Sequence, residues 1–270
     1  MYRVRNQAAR RGLTLVELLL AVSILGIMAG ALTGLASAVQ QSSGYSQGYG
    51  TATQHARVTF ERISRTVGEA TATDQYPGAV VVSTTVSGFG YPDMLVVWHP
   101  NGAPANAAGP PLLSEVVIYC PDPSNPYQLL EVTLPGNSTS IPLNSASLNT
   151  PGWQSQLASL VTSPSSNRVL LTNLVRAASV NNANLRAAIR FETEMHPTDS
   201  EWAAYQAGTA AWNSLSWAQG ICGSQTGLRQ VAVRCEVQLL PQQAAGTLDP
   251  TSQQAIPFLG SSSFCYQLHQ

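Results

Sequence analysis

From Leu18 to Val39 the chain runs 22 residues without a charged side chain, and four arginines, Arg3, Arg5, Arg10 and Arg11, stand ahead of that run. Wound as one helix at about 1.5 Å per residue, such a run crosses the ~30 Å hydrocarbon layer of a membrane. Arginines hold their flank on the cytoplasmic side, so the residues beyond Val39 are expected outside. A secretory signal peptide shares the basic start, but its apolar core is about 7–15 residues and has no use for an acid such as Glu17 at the edge. The adjacent Arg10 and Arg11 are too little to identify a twin-arginine export signal. A plain single-pass anchor explains length and orientation but not a Gly12-Leu13 junction followed by Glu17.

Composition agrees with an exported domain. Charged residues make up 10% of the chain and every basic one is arginine. Ser, Thr, Asn and Gln fill the surface instead, as suits an envelope-exposed protein. Beyond Arg11, nine arginines face fourteen acids. That leaves no basic footprint for nucleic acid, and none is expected as a partner. The cysteines, Cys120, Cys222, Cys235 and Cys265, form no CxxC. An even count in an exported domain permits two disulfides in any of three connectivities, and buried free thiols are the alternative.

The segment GLTLVELLLAVSILGIMAGAL, residues 12–32, resembles the cleavage and methylation segment of type IV pilins and type II secretion pseudopilins. The resemblance implies a leader of residues 1–12, cleavage after Gly12 and N-methylation at Leu13 by a prepilin peptidase/methyltransferase, and a glutamate, Glu17, fifth in the mature chain. Leu13 stands where the family most often has phenylalanine, and Gly34 where major pilins carry a kinking proline. An ionised carboxylate near the centre of a membrane helix costs about 2.5–3.5 kcal/mol. Cleavage would create an amine at Leu13 able to neutralise Glu17 of a neighbouring subunit, so processing would create the assembly contact. Thr14 and Glu17 also spell a capping box, T-x-x-E, favoured by the helix dipole. Gly26, Gly30 and Gly34 recur every four residues; they are either a small-residue stripe for close helix packing or the ordinary glycine content of a membrane helix.

Residues 13–39 are thus expected as a transmembrane helix segment and 40–74 as its continuation. Gln40 to Gly50 is polar and glycine-rich, a linker or a weak helix, and the resemblance favours helix. Ala56, Phe60, Ile63, Val67 and Ala70 recur at helical spacing, with Glu61 and Arg65 paired at i,i+4. Tyr76-Pro77-Gly78 is expected to stop this helix. Residues 75–270 read as a β-rich globular domain, with strands over 79–85, 94–98, 115–120, 128–134, 168–175, 185–193 and 228–240 and breaks at Pro92-Asp93, Pro121-Asp122-Pro123 and Pro135-Gly136-Asn137. An insertion is expected near 195–225, where Trp202, Tyr205, Trp212 and Trp217 are either a partner surface or, the safer reading, core filling. The fold class is α+β: a pilin-like fold with a long N-terminal helix, membrane-spanning then amphipathic, packed on a largely antiparallel sheet.

No H-E-x-x-H, Walker loop or dinucleotide glycine pattern occurs, so no enzyme activity, cofactor, catalytic site or metal site is expected. Glu192 and Glu194 share one strand face and read as solvated residues rather than an acid/base pair. The helix HARVTFERISRTVGEA, the stretch EVVIYCPDPSNPYQLLEVTLPG and the late LRQVAVRCEVQLLP resemble the J-type minor pseudopilins and related minor pilins. That resemblance implies a minor subunit of a type II secretion filament in the bacterial inner membrane, with its C-terminal domain periplasmic. Its partners would be other pilins or pseudopilins, the inner-membrane assembly platform and membrane lipid. A minor pilin of a surface pilus is the alternative, and a tethered binding module or hydrolase a third.

Overall fold

The computed structural model describes residues 14–86, 88–107, 109–142, 145–180, 184–218, 224–241 and 255–270. The chain falls into two compact units that divide between Gln47 and Gly48. A single helix, α1 (Leu15–Gly68), contributes to both. With no proline before Pro77 to break it, the polar Gln40 to Gly50 stretch is helical rather than a linker.

In the second unit, α1 buries Gly48, Ala52, Ala56, Thr59, Ile63 and Val67, one stripe at spacings of four and three. Phe60 and Ala70, expected on that face, lie at its margin and are half-buried. The helix ends at Gly68, before the expected stop. Ala70 N–H closes it on the Val67 carbonyl (3.1 Å), and Thr71 N–H then bonds the Trp98 carbonyl (2.9 Å), which draws the chain onto the sheet. Tyr76-Pro77-Gly78 instead leads into the first strand. Gly78 has φ +80° there, and a Cβ would stand 2.7 Å from the Thr71 carbonyl oxygen.

The strands are β1 (Ala79–Val86), β2 (Phe89–Trp98), β3 (Val116–Asp122), β4 (Asn125–Thr133), β5 (Asn167–Thr172), β6 (Ala177–Val180), β7 (Asn184–Ala187), β8 (Ile189–His196), β9 (Thr226–Leu239) and β10 (Ile256–His269). They form an antiparallel five-stranded sheet in the order β1-β2-β3-β4-β5, a three-stranded sheet β10-β9-β8 and a ribbon β6-β7. The helices between them are α2 (Ser145–Leu148), α3 (Pro151–Val161) and α4 (Asp199–Gln206). Alternate residues of β2 and β3 enter different cores. Leu95, Val97 and Tyr119 join the α1 stripe, while Val96, Trp98 and Ile118 pack with Leu157 and Val161 of α3. A sheet covered on both faces reads as a continuous apolar run, as LVVW and VVIY do.

Several expectations change. Pro92-Asp93 does not break a strand, because β2 runs through it. The β1–β2 register slips between Val82 and Thr84, and Ser83 N–H turns to Asn149 Oδ1 (2.7 Å). Proline, with no N–H to give a ladder, is tolerated at such an irregularity. Glu115 precedes its strand: it closes a 3-10 turn, Leu113–Glu115, and accepts bonds from Trp98 Nε1 (3.3 Å) and the Leu112 N–H (3.1 Å). The expected strand over 185–193 is two, split at Ala188. Its N–H bonds the Arg176 carbonyl while its own carbonyl accepts from Gln238, so the chain changes partner there. Helix α3 and strand β10 were not expected.

Candidate functional site

Gly12, Leu13 and Cys222 lie outside the described residues. From Thr14 the helix start is built by a reciprocal cap. Glu17 Oε2 accepts from Thr14 N–H (2.9 Å) and Thr14 Oγ1 (3.0 Å), and Glu17 N–H bonds Thr14 Oγ1 (3.3 Å). These bonds satisfy donors that a helix start otherwise leaves open, and they place a carboxylate at the positive end of the dipole.

Beyond the cap, every large apolar side chain from Leu15 to Val39 is at least half exposed, from Ile24 at 50% to Leu15 at 75%. Burying one such side chain is worth about 1.5–3 kcal/mol, so thirteen left in water would be prohibitive. Two hydroxyls in the run are satisfied within the helix, Ser23 on the Leu19 carbonyl and Thr33 on the Ala29 carbonyl, both at 2.8 Å. Neither of these groups then needs water, as the bilayer interior demands. A Cβ added at Gly26, Gly30 or Gly34 would meet nothing within 4 Å, so the helix itself has no steric need for glycine there.

In the second unit, candidates read from sequence resolve into structure. Glu194 is bonded to Arg234 (2.9 Å), and Glu192 stands opposite Arg234 across the ladder. They are a solvated, charge-matched strand face. Trp202, Trp212 and Trp217 are each no more than 7% exposed and pack together with Leu215 and Leu268. Trp202 Nε1 donates to the Asp74 carbonyl (3.0 Å) and Trp217 Nε1 to the Trp212 carbonyl (3.2 Å). The aromatics thus fill a core, with Trp202 on helix α4, which is capped by Thr198 and Glu201. Cys120, Cys235 and Cys265 are free thiols. Cys120 and Cys235 are buried in separate cores, and burial pushes the Cys120 thiol up and that of Cys235 to about 12. Both are inert hydrophobes at neutral pH. Among the described residues no group of three or more His, Cys, Asp or Glu is placed to hold a metal.

Three polar networks were not visible in the sequence. Arg62 of α1 forks onto Glu131 of β4 (2.5 and 2.8 Å), and Tyr119 donates to Thr66 (2.8 Å) beside it. Arg186 bonds the buried Asp93 (2.9 Å) and also Thr84. Arg229, 2% exposed, donates to the Pro197 carbonyl (2.8 Å), Tyr266 Oη (3.1 Å) and Asp199 (2.8 Å). Each joins residues dozens of positions apart, and no local pattern announces them.

Residues 7–33 match the family model of the prokaryotic N-terminal methylation motif. The match takes in Gly12, Leu13 and Glu17 together with the exposed apolar helix as far as residue 33, and this motif is one of type IV pilin and pseudopilin-type proteins. No curated protein and no solved structure matches the chain.

Proposed function

We propose that the chain is a filament subunit of the type IV pilin class. It is cut after Gly12 by a prepilin peptidase, methylated at Leu13 and held in the inner membrane by α1, with its second unit outside. One observation carries this reading: a methylation motif runs directly into a helix whose large apolar side chains from Leu15 to Val39 are all uncovered. Membrane lipid covers that surface before assembly and neighbouring helices cover it afterwards, with Gly26, Gly30 and Gly34 allowing close approach. Within the class we infer a minor pseudopilin of a type II secretion system. The second unit, with three sheets and a separate aromatic core, is bulky for a subunit packed on all sides and suits a filament tip. The function is mechanical, and the protein is no enzyme.

The test is the intact mass and N-terminal sequence of the membrane-extracted protein, made with and without a prepilin peptidase. The expected product starts at a methylated Leu13 and appears only with the peptidase. A Met1 start in the presence of active peptidase, or a cut near Ala38, would overturn the filament reading. Deleting the gene is then expected to stop protein export while leaving surface fibres intact. Lost fibres with normal export would assign the subunit to a pilus instead.

A further inference from the structure

A strand at the edge of a sheet offers a row of unpaired N–H and C=O groups, and proteins guard such edges with charge, brevity or a covering group. Among the described residues the sheet edges are guarded, with one exception. At β1, the Asn149 side chain takes the place of a neighbouring strand, accepting from Ser83 N–H (2.7 Å) and donating to the Val81 carbonyl (3.1 Å). The edge strand β8 carries Arg190, Glu192 and Glu194, and β5 carries Arg168. The ribbon strands β6 and β7 have four residues each.

Strand β10 has none of these defences. It pairs with β9 over 14 residues, and among the described residues no strand lies against its other edge. Its sequence IPFLGSSSFCYQLH contains no Asp, Glu, Lys or Arg, its one proline is second in the strand, and Leu259 is 79% exposed. The strand is also fixed in place. Gly260 lies so close over Phe60 of α1 that a Cβ would stand 2.6 Å from the ring, and Ser64 Oγ bonds Ser262 Oγ at 3.1 Å. An unbulged, uncharged edge backed by a helix is a preformed template for strand addition.

We propose that the free edge of β10 receives an extended strand of a different pilin-type subunit, which continues the β8-β9-β10 sheet. This rests on the filament reading above. A second copy of the same chain is a poorer occupant. Antiparallel pairing of β10 with its own copy places a two-fold axis normal to the sheet and reverses the Gly48–Gly68 stretch of α1 that lies on it. Chains anchored by one N-terminal helix each must enter the membrane in the same sense.

Hydrogen exchange of the full-length protein tests this, comparing the detergent-extracted single chain with assembled filaments isolated from the cell envelope. Half of the β10 amides point away from β9. In the single chain they should exchange quickly, and in filaments on the order of 100-fold more slowly. Leu259→Lys, at an exposed position, should leave the melting temperature of the single chain unchanged and abolish the slowing or the entry into filaments. Filaments containing the protein with β10 amides as fast as in the single chain would overturn the inference and leave the filament reading standing. Absence of the protein from filaments would overturn both. Slowing that appears in the purified chain as its concentration rises would assign the edge to a second copy and overturn the occupant proposed.

Discussion

Glu17 has two tasks that one substitution can separate. As a cap it accepts two bonds from Thr14, which glutamine, with a carbonyl oxygen in the same place, also accepts. As a charge it would neutralise a neighbour's new N-terminal amine, which glutamine does not. Glu17→Ala and Glu17→Gln are both expected to be cleaved normally, read by mass, and both to be absent from filaments isolated from the cell envelope. Normal entry of Glu17→Gln would leave Glu17 only its cap. Asp93 presents a different charge problem. Burial raises its pKa above the ordinary 3.8 although Arg186 and Thr84 pull the other way. A carboxyl whose folded pKa exceeds its unfolded one binds more protons folded than unfolded between the two values, so stability falls as pH rises through that window. Relative to Asp93→Asn, the wild type should gain stability as pH falls from neutrality towards 3.8, read as the difference in urea midpoint. A flat difference would mean that the Arg186 bond fully offsets the burial.

The elements were legible where one physical rule governed them and hidden where two compromised. The α1 stripe and the apolar runs of β2 and β3 follow from simple periodicity or from burial on both faces, and the sequence shows them. Strand β10 is hidden because its helix-facing side includes Gly260 and Ser262 where alternation would call for large apolar residues. Those positions are small because α1 passes over them with Phe60. Helix α3 is hidden because PGWQSQLASLV has no charge to mark its outer face. Gly260→Val should drive a side chain into Phe60 and destabilise the second unit by about 1–3 kcal/mol, the usual cost of overpacking. Phe60→Ala in the same chain should recover part of that loss. Urea unfolding of the four forms measures the coupling, and purely additive losses would show that the two residues do not meet.

Across the whole molecule, the site was the most legible part and the polar networks the least, for the same reason. A membrane imposes its demand on consecutive residues, so 22 uncharged positions and a cap appear as one string. Arg229, by contrast, draws on Pro197, Asp199 and Tyr266, which only the finished fold assembles. Removing Arg229 should therefore act on the second unit alone: Arg229→Met leaves the Pro197 carbonyl and Tyr266 hydroxyl buried without a donor and should cost about 2–3 kcal/mol, with cleavage after Gly12 unchanged. The two units also differ in what they need as surroundings. The first has no buried large side chain between Leu15 and Val39, whereas the second closes its own cores around α1 from Ala52 to Val67. A chain beginning at Gly48 keeps that whole stripe, so it should be a water-soluble protein with the melting temperature of the full-length protein's globular transition. Ultracentrifugation and thermal melts check this. The full chain should sediment with membranes and the truncated one should not. If the truncated chain melts well below the full-length protein, the stretch before Gly48 stabilises the second unit, and the membrane segment is more than an anchor.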